Sequence, residues 1–396
     1  MTETGCSLKI VINAVPLAFG GARTVGVNLI RTLPTAGPKH KFRALIPAGV
    51  GYEEACLQSG IEFKVYSRSL FYPIWRIWFD QVGVQRQVRK WGADVLFTLG
   101  NLGPIWPEVP HAILFMHPYY IYPLSLFHGI LPVSQQLKMV VHRRLFRRSL
   151  TRASAIMPQT DVAAIRLQQQ YSVPAAKLHV IPPAITLEHA ERGGEEGPVG
   201  GRIRQYANGR MVLLCLTRYY PHKNIECLVQ TAGRLREQGI DSFAFVITIA
   251  EDQGPGARAL MKAIESQELT DRILNLGPVD FEDLADVYRA SDALFFPTLL
   301  ESFSGSYLEA MHYGLPIFTT DIDFARYVCG DAALYFDPED LDGIVNLLET
   351  FIEAHDVADT LRANGHRQVA CFGGDWFEKA SRYLRVLETI SECRTP

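Results

Sequence analysis

The chain has 396 residues, a formal net charge of −3, 48% hydrophobic residues and 20% charged residues. That length predicts two or three domains, and that composition a soluble globular protein with a large core. The near-balanced charge gives no general attraction to polyanions, so no nucleic-acid partner is expected. Seven cysteines, at 6, 56, 215, 227, 329, 371 and 393, form no CxxC pair and no metal-ligand spacing. Buried thiols in a reducing compartment, the cytoplasm, are the expectation. The N-terminus, MTETGCSLKI, lacks a long apolar core and does not read as a signal peptide.

Leu8 to Ala14 is an apolar run of strand type, followed by Phe19-Gly20-Gly21 and a helical pattern from Thr24 to Leu33. Strand, glycine turn and helix open an α/β unit. Gly20 and Gly21 either form a plain turn or let a ligand approach the backbone. Phe42–Ile46, Asp94–Phe97 and His111–His117 read as further strands, and residues 71–91 as an aromatic, then basic, helical stretch. His117 stands at the carboxyl end of its strand, where open α/β sheets bind ligands. Position alone leaves it either a site residue or a hydrogen-bonded core group. Residues 109–137 carry no Asp, Glu, Lys or Arg, but Pro110, Pro118, Pro123 and Pro132 break them. A buried, irregular region is predicted there in place of a membrane span.

Residues 138–152 (KMVVHRRLFRRSLTR) predict a basic amphipathic helix carrying Lys138, Arg143, Arg144, Arg147, Arg148 and Arg152. It is either a solvated face or a peripheral contact with an anionic membrane. Ala155–Pro158 and Leu178–Pro182 read as the last strands of a first half. The stretch 188–201, EHAERGGEEGPVGG, has no periodicity and reads as a linker at the domain boundary. The alternation then restarts, with strands at 211–216, 243–249, 273–276, 293–296 and 317–319. Helices are predicted at 224–238, 256–267, 281–290, 306–313, 340–354 and 375–390. Alternation in both halves predicts two doubly wound α/β domains facing each other across a cleft.

Two groups of residues carry chemistry. Arg218 and Lys223 leave the carboxyl end of the strand at 211–216, and together they can neutralise a diphosphate without a metal. Glu301 and Glu309 flank the turn Ser304-Gly305-Ser306 at a helix start, where unpaired N–H groups favour an anion. Acids beside a phosphate-friendly helix end suit a ligand bearing both hydroxyls and phosphates, such as a sugar nucleotide.

The order and spacing of Arg218, Lys223, Glu301 and Glu309 within PTLLESFSGSYLEAMHYGLP resemble the signature of family 4 retaining glycosyltransferases of the GT-B fold. Gly20-Gly21, GADVLFTLGN at 92–101, His117, KLHVIPP at 177–183 and FEDLADVYRASDALFFPT at 281–298 extend the likeness over nearly the whole chain. The resemblance implies two Rossmann-like domains: an acceptor-side domain at 1–187 and a nucleotide-sugar domain at 188–372. Residues 373–396 would hold a helix crossing back to the first domain. It implies that Glu301 contacts donor-sugar hydroxyls and Glu309 the ribose. Arg218 and Lys223 would hold the diphosphate, Gly20 and Gly21 approach it, and His117 lie beside the transferred sugar. Phe303, Ser304, Gly305 and Ser306 would present backbone to donor oxygens. Ser304 stands where the family has glycine, and Pro182-Pro183-Ala184 where it has Asn-Gly or Pro-Gly.

The implied activity is metal-independent, cofactor-free, retaining transfer of a hexosyl group from a UDP- or GDP-sugar. The acceptor would be a glycan or lipid-linked hydroxyl in polysaccharide or glycolipid biosynthesis. Two alternatives share the fold: a sugar-nucleotide epimerase or phosphorylase, and a non-catalytic nucleotide-sugar-binding subunit. Arg218→Ala and Lys223→Ala are each expected to lower turnover far more than thermal stability.

Overall fold

The structure is a computed structural model that describes residues 7–67, 72–127, 130–184 and 197–392. The chain divides into two compact units, residues 1–184 with 374–396, and residues 185–373.

The first unit contains β1 (Lys9–Asn13), α1 (Gly20–Ala36), β2 (Lys41–Pro47), α2 (Tyr52–Ser59), β3 (Glu62–Tyr66) and α3 (Tyr72–Trp78). A π-helical turn, Phe79–Gly83, joins α3 to α4 (Val84–Trp91). Then follow β4 (Val95–Leu99), β5 (His111–Phe115), α5 (Val133–Arg152), β6 (Ala155–Pro158) and α6 (Asp161–Tyr171). The strands pair in parallel in the order β3-β2-β1-β4-β5-β6. β4 and β5 are buried at every position, which is why they read as unbroken apolar runs in place of an alternation.

The second unit repeats this order. It contains α7 (Pro198–Ala207), β7 (Met211–Cys215), α8 (Ile225–Glu237), β8 (Phe243–Ile247), α9 (Pro255–Ser266), β9 (Ile273–Asn275) and α10 (Leu284–Arg289). β10 (Ala293–Phe296), α11 (Gly305–His312), β11 (Ile317–Thr320), α12 (Asp323–Cys329), β12 (Ala333–Phe336), α13 (Leu341–Glu353) and α14 (His355–Cys371) complete it. Its parallel sheet runs β12-β11-β10-β7-β8-β9. The last helix, α15 (Trp376–Glu392), belongs to the first unit. Its buried stripe of Ala380, Tyr383, Leu384, Leu387 and Ile390 joins Leu29, Ile30 and Leu33 of α1 in one core. Each fully buried Leu or Ile side chain among them contributes about 1.5–3 kcal/mol. Polar ties fix its direction: Arg382 donates to the Val180 carbonyl at 2.9 Å, and Glu388 pairs with Lys39 at 2.7 Å.

Several expectations need correction. Leu178–Ile181 is not a strand of the sheet. It makes one bridge, Leu178 to Ile156, with His179 N–H donating to the Ile156 carbonyl and Ile181 N–H to that of Pro158. Of the linker at 188–201, residues 188–196 lie outside the described residues, but Pro198–Gly201 open α7. The Asp286 carboxylate accepts from Gly197 N–H (2.8 Å) and Gly200 N–H (2.6 Å) and so caps that helix from a distant element. α1 begins at Gly20, four residues earlier than its apolar pattern. In the region 109–137, β5 and the start of α5 bracket a stretch of coil with 3-10 turns at Pro118–Tyr120 and Leu124–Phe127, of which residues 128 and 129 lie outside the described residues. Cys56, Cys215, Cys227 and Cys329 are buried, whereas Cys371 is exposed; Cys6 and Cys393 lie outside the described residues. Among the described residues no helix is long and apolar enough to cross a membrane.

Candidate functional site

In the second unit the strand order reverses between β7 and β10, the switch point at which such sheets bind ligands. Both groups of candidate residues leave this point. Arg218 is exposed on the loop after β7, and Lys223 ends the 3-10 turn Pro221–Lys223 that leads into α8. Asn224 takes a left-handed conformation (φ 51°) to turn the chain into the helix. Glu301, Phe303 and Ser304 lie between β10 and α11, Gly305 and Ser306 open α11, and Glu309 lies one turn inside it.

The two loops are stitched together. Lys223 Nζ pairs with Glu301 Oε1, and the two side chains are 12% and 8% exposed. The Lys223 ammonium also faces the Phe296 ring at 4.6 Å. Thr298 Oγ1 sits within hydrogen-bonding distance of Glu301 Oε1 and of the His222 carbonyl, at 3.2 Å in each case, and Leu299 N–H donates to the same carbonyl at 2.8 Å. Ser306 Oγ donates to the Leu216 carbonyl at 3.3 Å, tying the first turn of α11 to the end of β7.

Glu309 is wired differently. The Tyr288 hydroxyl donates to its Oε2 at 2.7 Å, and Tyr313 stacks on Tyr288 with ring centroids 5.0 Å apart. Burial pushes the Glu309 carboxyl above its usual range, against the pull of the Tyr288 hydrogen bond. Its Oε1 reaches back towards the exposed Gly305 at the helix N-terminus, because helical side chains lean that way. Ser304, in the position expected for glycine, is extended (φ −121°, ψ 115°), a conformation open to any residue. Phe303 packs edge-on against Phe372, centroids 6.0 Å apart, so its ring supports the loop.

Tyr219 was not anticipated from sequence. Its N–H donates to Gln253 Oε1 at 2.6 Å and its hydroxyl to Glu226 Oε1 at 2.6 Å. A Cβ on Gly256 would overlap its ring, so glycine is needed in the first turn of α9. This clamp fixes the loop that carries Arg218. Tyr288 and Thr298 were missed for the same reason: their partners are remote or lie in a loop without periodicity.

In the first unit, Gly20 (φ 59°) and Gly21 are exposed at the start of α1. A Cβ at Gly21 would meet nothing within 4 Å, so no packing within the protein demands glycine there. His117 follows β5 and packs against Tyr120 (4.9 Å) and Tyr119 (5.4 Å). Among the described residues its Nδ1 is buried without a hydrogen-bond partner, and burial pushes its pKa down to about 4, with His142 adding to the effect. Arg143, one of the six cations of the basic helix, turns inward and donates to the carbonyls of Tyr119 and Tyr122, so it holds the loop after His117. Asp80, in the π-helical turn, pairs with Arg76 Nη2 at 2.6 Å; burial pushes its carboxyl up to about 6 in spite of that charge. Among the described residues no three His, Cys, Asp or Glu side chains gather so as to hold a metal ion.

Two units, each a six-stranded parallel sheet flanked by helices, match the two-domain GT-B fold. The comparisons agree. Residues 203–368 match the model of glycosyl transferases group 1, and residues 19–189 that of glycosyltransferase family 4. Together the two matches support a family 4 glycosyltransferase of the GT-B fold. The chain is 31% identical over 173 residues to a D-inositol 3-phosphate glycosyltransferase of Actinosynnema mirum, covering 42% of this chain and 40% of that protein. It is 23% identical over 267 residues to the O-antigen chain mannosyltransferase RfbU of Salmonella typhimurium, covering 67% of each. The chain thus aligns with well under two thirds of the first relative's length. Among solved structures, HepE of Anabaena in complex with UDP and glucose superimposes with a TM-score of 0.68 at 16% identity, over 97% of this chain and 100% of that one.

Proposed function

We propose that the protein transfers a hexosyl group from a UDP- or GDP-sugar to a hydroxyl of a glycan or lipid-linked acceptor, with retention and without a metal. The observation that carries this reading is the switch point of the second unit. There one cation is paired with Glu301, a second is exposed on Arg218, and a carboxylate is fixed by Tyr288 at a helix N-terminus. In the reaction the bond from the anomeric carbon to the β-phosphate oxygen breaks. The acceptor oxygen bonds to that carbon from the same face, and its proton passes to the departing phosphate. Arg218, Lys223 and the first N–H groups of α11 take up the charge that builds on the phosphate, which is where preorganised electrostatics contributes most. Glu301 and the free oxygen of Glu309 accept from sugar and ribose hydroxyls. His117, which burial keeps neutral at pH 7, and Gly20 and Gly21 at the start of α1 keep the donor-side roles that the family resemblance implies. The UDP- and glucose-bound neighbour and the mannosyltransferase relative support a hexosyl nucleotide donor and a role in polysaccharide or glycolipid synthesis. Peripheral contact with an anionic membrane at the cytoplasmic face is assigned to α5.

The test is incubation with a panel of UDP- and GDP-sugars and glycan or lipid-linked acceptors. Nucleoside diphosphate release and the anomeric configuration of the product are then read. Acceptor-dependent release with retained configuration is expected, and it should fall about 100-fold in Arg218→Ala. An epimerised sugar nucleotide, dependence on inorganic phosphate, or binding without turnover would replace this reading with one of its rivals.

A further inference from the structure

The membrane contact assigned to α5 rests on a basic sequence, and the structure adds a feature that charge alone does not describe. Val133, Leu137 and Val141 are 71%, 65% and 53% exposed. Their four-residue spacing places them in one line along the helix. Three and seven residues beyond Val141 the same line continues with Arg144 and Arg148, both exposed. One outward stripe is therefore aliphatic over its first half and cationic over its second. Over the second half of the helix the opposite side, Phe146, Ser149 and Leu150, is buried against the unit, whereas residues 133–145 include no buried side chain. Arg143 takes no part, because it is committed to the loop after β5.

We propose that this stripe is a bilayer-insertion face. Val133, Leu137 and Val141 enter the acyl boundary of an anionic membrane while Arg144 and Arg148 engage lipid phosphates. The proposal deepens the peripheral contact named above and depends on it. Two properties select a bilayer over a protein partner or a second copy. The aliphatic residues project singly along one helix line, which suits a fluid surface better than a shaped one. No acid lies between Glu108 and Asp161. Pairing two copies through this face would thus bring cations together with no carboxylate on the helix to offset them. Lipid headgroups supply the missing anions, and acyl chains the apolar phase.

The experiment is co-sedimentation of the full chain with vesicles of phosphatidylcholine alone, or of phosphatidylcholine and phosphatidylglycerol in equal parts, at low and high salt. Wild type is expected to pellet with the anionic vesicles and to be partly released by salt. Leu137→Gln/Val141→Gln removes only exposed side chains, so its thermal denaturation should match wild type while its partition weakens about tenfold or more. Arg144→Gln/Arg148→Gln should lose the anionic preference but keep residual binding. If wild type binds and the Leu137/Val141 variant binds equally well, the insertion face is refuted while the electrostatic contact survives. If wild type stays in the supernatant with anionic vesicles at low salt, both are overturned. A lipid-free dimer that the Leu137/Val141 variant dissolves would assign the face to a second copy and overturn the proposal. Nucleoside diphosphate release to a soluble acceptor, measured on the same variants, should be unchanged, which keeps this test separate from that of the transferase reading.

Discussion

Lys223 and Glu301 form a buried pair, and that changes what a substitution at Lys223 can report. Removing the lysine leaves a carboxylate that is only 8% exposed, with Thr298 Oγ1 at 3.2 Å as a remaining partner among the described residues. Breaking a buried pair from one side costs about 3–5 kcal/mol. The surviving hydrogen bond offsets about 1 kcal/mol of this, so Lys223→Met is expected to lose about 2–4 kcal/mol of stability. Glu301→Gln leaves the ammonium facing an amide oxygen and the Phe296 ring at 4.6 Å, and should cost about 2–3 kcal/mol. The double variant leaves no uncompensated buried charge, so it should be at least about 1 kcal/mol more stable than the sum of the two losses. Urea denaturation of the donor-free protein measures all four corners of this cycle. Losses that add to within about 0.5 kcal/mol would refute the coupling. Arg218→Ala is the control: the side chain is exposed, so stability should change by less than about 0.5 kcal/mol. Of the two cations, Arg218 alone should separate turnover from thermal stability.

Gly256→Ala should drive the Tyr219 ring out of its clamp. A loss of about 1–3 kcal/mol by urea denaturation is expected, with weaker nucleoside diphosphate binding by calorimetry because the Arg218 loop is released; a silent variant would disprove the clamp. Asp286→Ala should cost about 2 kcal/mol through the lost cap of α7, and Asp286→Asn clearly less; equal losses would show that the cap is not the cause. For pH, His117 is pushed down to about 4, so between about pH 4 and 6.5 the unfolded chain binds the extra proton. Stability from this group is full above 6.5 and is lost as pH falls through 4, by about 2 kcal/mol between pH 7 and 5. Asp80, pushed up to about 6, has the opposite sign, its contribution being lost as pH rises from about 4 to 6. His117→Asn should therefore flatten the acid limb of stability measured at pH 7 and 5, and an unchanged limb would show that His117 is not the titrating group.

What could be read from the sequence was whatever lay within one element or one turn. The buried strands showed as apolar runs because both faces of each sheet are covered. The candidate donor residues showed because their order along the chain follows the strand order at one switch point. Their partners did not show. Lys223 and Glu301 are separated by 78 residues, and Asp286 meets Gly197 across 89. Such pairs leave no local pattern. β3 and α14 were missed because half-exposed elements, such as Glu62–Tyr66, lack the unbroken hydrophobic run that marks a central strand. Leu178–Ile181 is strand-like in composition but pairs by a single bridge at the sheet edge, so composition promised more than the topology could hold. Gly256 carried a usable signal: a glycine directly after Gly254-Pro255 at a helix start invites the question of what packs there.

The two carboxylates of the motif look alike in sequence and are made unlike by their partners. Glu301 faces an ammonium and a hydroxyl, so its charge is held in place and one of its oxygens is already engaged. Glu309 faces a phenol in a desolvated setting that raises its pKa. A double-displacement glycosidase needs one ionised nucleophile and one proton donor, both free to reach the same bond. Here neither acid is free. Glu301 would have to give up Lys223 to attack carbon, and Glu309 is turned towards a helix N-terminus that draws anions and their hydroxyl-bearing neighbours. In the proposed transfer, this wiring suits carboxylates that position hydroxyls and tune a cation, with the leaving-group charge falling to Arg218, Lys223 and the start of α11.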